Sequence, residues 1–243
     1  MMKLAIVDCR MPDAAKNKLS MLGCYVIELM PDARLSEPIA SHPDMILFHH
    51  KRTVITSSEY CERYPYVFED ISRLVPGLRL IFTEDAISSS YPSDARFNAL
   101  ALGRRLFCRK ESISAAILDY AKSAELSVVP TKQGYPACTT LALSENAAIS
   151  ADRGMLHALR SEGVTAYEIE NGDISLPPYE YGFIGGAAGL TDGKLLFIGD
   201  PEHHPSYKTI KQAADEEGLK IISLYDGELL DLGRIIFIDG DVK

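Results

Sequence analysis

The sequence predicts an α/β fold of five successive strand, strand, helix, strand units closed into a ring, a five-fold pseudosymmetric α/β propeller. Three observations carry that prediction. An apolar pattern returns about every 45 residues. Each repeat holds a helix with its own start and stop signals. An isolated apolar strand at the C-terminus supplies the one strand that the N-terminal repeat lacks.

In chain order, residues 4–7 read as a strand, followed by a helix near 12–22 and a strand at 25–29. The second unit has apolar runs at 45–48 and 54–56, a helical stretch near 66–74 and a strand at 78–82. The third has 97–102, a turn at Gly103, 106–108, a helix over about 112–124 and 126–129. In the fourth, 139–143 and 146–150 form a hairpin across Ser144-Glu145. Asp152 then caps a helix carrying Met155, Leu156 and Leu159, Gly163 stops it, and 164–169 is a strand. The fifth runs from Phe183 through the Asp192-Gly193 turn to 195–198, then a helix opened by Pro205 and stopped by Gly218, then 219–224. Residues 234–238 form the last strand, which pairs with 4–7 and closes the ring. The predicted units are approximately 1–31 with 233–239, 44–84, 96–131, 138–170 and 181–226, in one domain over 1–243. The alternative is a doubly wound open sheet, which also alternates strands and helices.

Composition narrows the function classes. The 243 residues are 47% apolar and 24% charged, with a formal charge of −9. These are ordinary globular values that allow a sizeable core. Lys and Arg are scattered singly, leaving no basic stripe for a phosphate backbone, so nucleic acid is not expected as a partner. The N-terminus reads as a strand and not a signal peptide, and no apolar run approaches the roughly 18 residues that span a bilayer, so no membrane partner is expected. Cys9, Cys24, Cys61, Cys108 and Cys138 form no Cys-x-x-Cys pair and are odd in number, which fits a cytoplasmic protein without a disulfide framework.

Several residues are candidates for a site. Cys138, in Gly134-Tyr-Pro-Ala-Cys138-Thr-Thr140, reads from its residues as a buried strand-end Cys or an inert pore-lining thiol. Gly182, Gly185, Gly186 and Gly189 lack the spacing of a phosphate-cradling loop. Glycine in a strand marks close backbone approach, which leaves room for a ligand beside Gly185 and Gly186. His49-His50 and His203-His204 lack metal-site spacing, so no metal and no cofactor is predicted, and His49 or His204 is available as a base. Glu170-Asn171-Gly172-Asp173 carries a turn signal with Asp173 as a capping residue. Tyr91, Asp94 and Asn98 lie on the loop leading into the third unit, where a ring presents side chains to its pore.

Five such units closed by a terminal strand resemble the pentein, or guanidino-group-modifying enzyme, fold over essentially the whole chain. The stretch from Gln133-Gly-Tyr-Pro-Ala-Cys138 through Gly182-Phe-Ile-Gly-Gly-Ala-Ala-Gly189 to His204-Pro205 looks like an uncharacterised bacterial family of that fold. The resemblance implies a nucleophilic Cys, a His and carboxylates around a central pore, as in arginine and agmatine deiminases, dimethylarginine dimethylaminohydrolase and amidinotransferases. A ribosome-binding translation factor shares the fold without that chemistry. The segment around Cys138 resembles the Gly-x-x-x-Cys-Thr stretch of the deiminases. Glu170 to Asp173 resembles their Glu-Gly-Gly-Asp segment, with Asn171 replacing the first Gly, and implies Asp173 as cation anchor. Two features depart from the family: its nucleophile sits near the C-terminus, where this chain has no Cys, and no His-x-Asp or His-x-Glu pair is recognised. The expectation is therefore a ring that has lost the catalytic set and binds a small polar metabolite or a protein partner. The alternative is a guanidino-group-modifying hydrolase or amidinotransferase with Cys138 as nucleophile, His49 or His204 as base, and Asp173, Asn98, Gly185 and Gly186 at the ligand.

Overall fold

The computed structural model describes residues 3–240, which form five three-stranded sheets of one design. In each, a leading strand pairs antiparallel with a middle strand, which pairs parallel with a trailing strand reached through a helical crossover. In chain order of the middle strands, the sheets are Ile236–Asp239, Lys3–Asp8, Cys24–Leu29; Leu47–His50, Thr53–Ser57, Arg79–Thr83; Leu100–Leu102, Arg105–Cys108, Ser127–Pro130; Thr140–Ala142, Ala147–Ser150, Thr165–Glu168; and Ala188–Thr191, Lys194–Phe197, Lys220–Ser223. The C-terminal strand does pair with the first, in the register Leu4 to Ile238 and Ile6 to Ile236.

The middle strands have a neighbour on each edge, and their side chains are covered on both faces. They are accordingly near-continuous apolar runs: Leu4, Ala5, Ile6 and Val7 are fully buried, as are Leu195 and Phe197. Each crossover helix turns an apolar stripe inward. Arg153–Ser161 buries Met155, Leu156 and Leu159, and the Asp152 carboxylate accepts the Met155 N–H at 2.7 Å, the cap that the sequence predicts. Ser114 caps Ala115–Ser123 in the same way.

Each unit shares a hydrophobic cluster with the next. Leu4, Ile55 and Leu106 belong to one cluster across the first three units, and Leu102 packs with Met155 between the third and fourth. Ile149 packs with Phe197 between the fourth and fifth, and Val7 with Leu196 between the fifth and first. No strand of one three-stranded sheet is hydrogen-bonded to a strand of another among the described residues, so neither an open doubly wound sheet nor one continuous closed sheet is formed. No helix among the described residues is long and apolar enough to cross a membrane.

Several local expectations are corrected. The strand expected from Phe183 begins only at Ala188, because 184–187 is a turn closed by Gly186 N to Phe183 O at 3.1 Å and Ala187 N to Ile184 O at 3.3 Å. The strands expected to begin at 45 and 97 begin at Leu47 and Leu100. Cys138 is not at a strand end: it lies in a one-turn helix, Pro136–Thr139, matched in the second unit by Pro43–Ile46. Both open with proline, whose fixed φ suits the first helical position. A short pair, Ile174–Ser175 with Leu229–Leu230, was not legible in the pattern, because two residues carry no period. The expected start of the first unit, residues 1–2, lies outside the described residues.

Candidate functional site

The site grows from the position two residues before each leading strand. In the five units that position holds Arg234, Met45, Asn98, Cys138 and Gly186. Hydrogen bonds join these segments in a circle. The Asn98 amide nitrogen donates to Met45 Sδ at 3.5 Å and to Cys138 Sγ at 3.3 Å, and its oxygen accepts the Ala137 N–H at 2.8 Å. Gly186 N donates to Cys138 O at 3.0 Å, Arg234 N to Gly186 O at 2.8 Å, and Asp44 N to Gly233 O at 3.3 Å. Backbone comes this close because Gly185 and Gly186 have no side chain. A Cβ on Gly185 would stand 2.5 Å from the Cys138 and Thr140 carbonyl oxygens, and one on Gly186 would overlap the Asp231 carboxylate.

Inside this circle the Cys138 thiol donates to Asp44 Oδ2 at 2.7 Å. His42 completes the cluster: ligating atoms of His42, Asp44 and Cys138 all lie within 4.8 Å of one another, and all three residues are buried. The ring nitrogens of His42 stand 4.0 Å from Asp8 Oδ2 and 3.9 Å from Asp231 Oδ1. Both nitrogens, and Asp44 Oδ1, are buried without a hydrogen-bond partner among the described residues. Asp8 is held by Arg10 at 2.6 Å, while Asp231 accepts the Phe183 N–H at 2.8 Å and the Gly233 N–H at 3.1 Å. The His-x-Asp pair that the sequence reading misses is therefore present, as His42-Pro43-Asp44.

Burial dominates the electrostatics. It holds the His42 imidazole down to about 3, helped by the Arg10 charge, so this ring is neutral at physiological pH. It pushes Asp44 up to about 6 and Asp231 up to about 7, and the Asp44 charge raises Asp231 further. The Cys138 thiol lies well above its ordinary range through burial and the neighbouring carboxylates Asp44 and Asp231. Two carboxyls easier to protonate in the fold than in the unfolded chain contribute stability that is present below about pH 4 and is lost as pH rises through about 6 to 7. Asp44→Asn cannot ionise and keeps an oxygen for the thiol. It is expected to exceed the parent protein by about 1–3 kcal/mol at pH 8 and to lose that advantage at pH 4, read from urea midpoints at the two pH values. A variant equally weakened at both would place the Asp44 charge outside the stability balance.

The cluster opens into a pocket of ≈ 360 Å³ lined by His42, Cys138, Asp231, Tyr135, Glu180 and the aromatic segment Tyr179, Tyr181 and Phe183. Of the residues that the sequence singles out, Cys138, Asn98, Gly185 and Gly186 meet here. His49 lies in a different pocket, with Nε2 2.7 Å from Lys51 O, and burial pulls it down to about 4. His204 is buried beside the 170–173 bend, where its Nδ1 accepts the Ser206 N–H at 3.1 Å. Asp173 is exposed at φ +54°, in a bend at Asn171-Gly172 where the sequence predicts a turn. His42, Asp44 and Asp231 are the residues that the sequence reading did not find.

Cys, His and Asp are also donors that suit a thiophilic divalent cation. The 2.7 Å between Cys138 Sγ and Asp44 Oδ2 is a direct hydrogen-bond contact, however, shorter than the roughly 3.5 Å between two ligands of one tetrahedral ion. A second group, Asp200, His203 and Asp226, lies towards the surface. There Asp200 already accepts from Glu202 N and Ser223 Oγ.

Comparison with known proteins agrees with this geometry at the level of fold. A family model described as "Family of unknown function (DUF6873)" matches residues 6–236. No curated protein matches by sequence. Among solved structures, an amidinotransferase of saxitoxin biosynthesis from Microseira wollei is similar with a TM-score of 0.57 at 10% identity, covering 100% of this chain and 95% of that one. A dimethylarginine dimethylaminohydrolase, held as an adduct with S-methyl-L-thiocitrulline, gives 0.56 at 14% identity over 92% of both chains. The agmatine deiminase of C. jejuni gives 0.54 at 8% identity over 98% of this chain and 82% of that one. All three have the pentein fold, and the chain described here shares it.

Proposed function

The chain belongs to the family of unknown function DUF6873, and from its site we propose that it is a thiol-dependent enzyme acting on a small guanidinium or amidinium compound. The observation that carries this reading is the convergence of Cys138, His42 and Asp44 in one buried cluster, with Asp231 beside it, of which His42, Cys138 and Asp231 line the pocket. Two buried carboxyls raised by burial, Asp231 further by the Asp44 charge, favour a cation beside them, and a planar guanidinium supplies one with paired charge-assisted hydrogen bonds. The same cation lowers the cost of the Cys138 thiolate, so the nucleophile forms when substrate is bound. The reading also takes the five units to stand as propeller blades round an axis through this cluster. The circle of hydrogen bonds and the cyclic succession of shared hydrophobic clusters support that arrangement.

In the reaction, Cys138 Sγ bonds to the guanidinium carbon and one C–N bond breaks. The thiol proton ends on the departing nitrogen, carried by Asp44 and His42, and the nitrogen leaves as an amine or ammonia. Water then adds to the S-linked carbon, the C–S bond breaks, oxygen stays on carbon and a proton returns to sulfur. An acceptor amine in place of water makes the same site a transferase. The test is mass spectrometry of the protein after exposure to a panel of guanidino compounds and to 2-chloroacetamidine, an amidinium with a leaving group. A covalent adduct on Cys138 with turnover of one guanidino compound is expected. A thiol that reacts with none of them, in folded protein that turns over none, sinks the proposal and leaves the binding-only reading.

The pocket walls narrow the substrate. Its lining carries Glu180, Asp231 and three tyrosines and, among the described residues, neither Lys nor Arg to hold an α-carboxylate. A guanidinoalkylamine, whose second ammonium can sit by Glu180 and the tyrosine faces, is expected to exceed the corresponding α-amino acid in kcat/KM by about ten-fold or more. Steady-state rates with agmatine and arginine at equal ionic strength check this, and a preference for arginine refutes it.

A further inference from the structure

A second pocket, of ≈ 260 Å³, shares no lining residue with the first. Asp44 lines the second pocket and Cys138 lines the first, so the hydrogen bond between them spans the two. All five leading strands contribute to its wall, giving it small apolar patches such as Ala101, Ala142 and Leu190. Among the described residues its charged lining is Arg234 and Lys51 against the single carboxylate Asp44, with burial favouring the neutral form of His49 and His50. That carboxylate already accepts the Cys138 thiol through Oδ2. Arg234 is held at φ +66°, and its Nε is buried without a hydrogen-bond partner among the described residues. A buried, unpartnered guanidinium donor is costly unless an acceptor meets it.

We propose that this second pocket is a binding site for a small organic carboxylate, with the anion on Arg234, Lys51 at the margin and a short apolar tail against the alanine and leucine wall. The ligand is an effector, because Arg234 also faces the catalytic cluster. Its charge favours the Cys138 thiolate directly as well as ionised Asp44, and an anion on Arg234 removes both supports. Occupancy therefore makes the Cys138 thiolate harder to form, across a bond that both pockets share.

The probe is propionate, titrated by calorimetry and by ligand-observed NMR, with inorganic phosphate as a comparison of equal or greater charge and no apolar tail. Saturable propionate binding is expected in the parent protein and in Cys138→Ala alike, so the result does not depend on turnover. It should vanish in Arg234→Gln, weaken by roughly five-fold or more in Lys51→Glu, and exceed phosphate binding. Saturating propionate should slow alkylation of Cys138 by roughly five-fold, the lower end of ordinary coupling between two sites. No saturable binding, binding unchanged in both variants, or phosphate bound as tightly as propionate overturns the proposal. If Arg234→Gln does not fold, Lys51→Glu decides, since Lys51 is exposed and its replacement leaves the circle of backbone contacts intact.

Discussion

Replacing Cys138 with alanine is expected to remove turnover of a guanidino substrate by a factor of about 10³ or more, while costing the fold at most about 2 kcal/mol. The asymmetry follows from what the thiol touches. It makes one hydrogen bond to Asp44 and accepts one from Asn98, and it is 5% exposed in a turn whose backbone contacts do not involve sulfur. Loss of sulfur removes the thiol's own bonds to Asp44 and Asn98 but leaves the backbone links of this turn to its neighbours, Ala137 N to Asn98 Oδ1 and Gly186 N to Cys138 O, in place. Removal of the nucleophile leaves the guanidinium carbon without an attacking atom, and water has no second route to it through a covalent intermediate. His42→Asn should fall with it, since the neutral imidazole with two unpartnered nitrogens is the group placed to carry the proton. Cys24→Ser, on the trailing strand of the first unit, serves as the control that keeps activity. Parent-level kcat in Cys138→Ala, with the protein folded by circular dichroism, would move the chemistry away from this cluster.

The helical crossovers and middle strands were legible because burial on two faces writes itself as a period. Leu4 to Val7 and Met155, Leu156 and Leu159 carry that signal whatever lies around them. The C-terminal strand was legible as the missing partner because an unpaired apolar strand is costly. The site was only half legible. Cys138 and Asn98 sit at the same offset before their leading strands, so counting back two residues from each finds them, along with Gly186, Met45 and Arg234. That count fails where strand starts are misplaced, and the second unit was one such place: reading Met45 as strand hid the one-turn helix Pro43–Ile46 and the His-x-Asp pair at its start. Asp231 carries no local signal at all. Its carboxylate is defined by the Phe183 and Gly233 N–H groups, which come from chain 48 residues away and from its own turn. His49, which the sequence offers as a base, lies in the second pocket instead of beside the thiol. Alternation along a strand fixes which face a side chain takes, and does not say which pocket that face meets.

Gly185→Ala is expected to cost about 3 kcal/mol or more and to lower the melting temperature by roughly 6–12 °C. Many overpacked positions relax by moving a flexible side chain, and Gly186 is partly of that kind, since its added Cβ would meet the Asp231 carboxylate. At Gly185 the added atom would meet three backbone carbonyl oxygens, those of Ala137, Cys138 and Thr140. None of them can swing away, because Thr140 is fixed in its strand and the one-turn helix that carries the other two is anchored on both sides: Ala137 N is held by Asn98 Oδ1, and Cys138 O by Gly186 N. The strain must therefore open the seam between the fourth and fifth units, and that seam positions the thiol. Stability and chemistry should fall together, with alkylation of Cys138 by 2-chloroacetamidine lost even at temperatures where far-ultraviolet circular dichroism still reports a folded protein. A Gly185→Ala protein within about 1 kcal/mol of the parent, with its thiol as reactive as before, would mean that the backbone approach at this seam is not what holds Cys138 against Asp44 and His42.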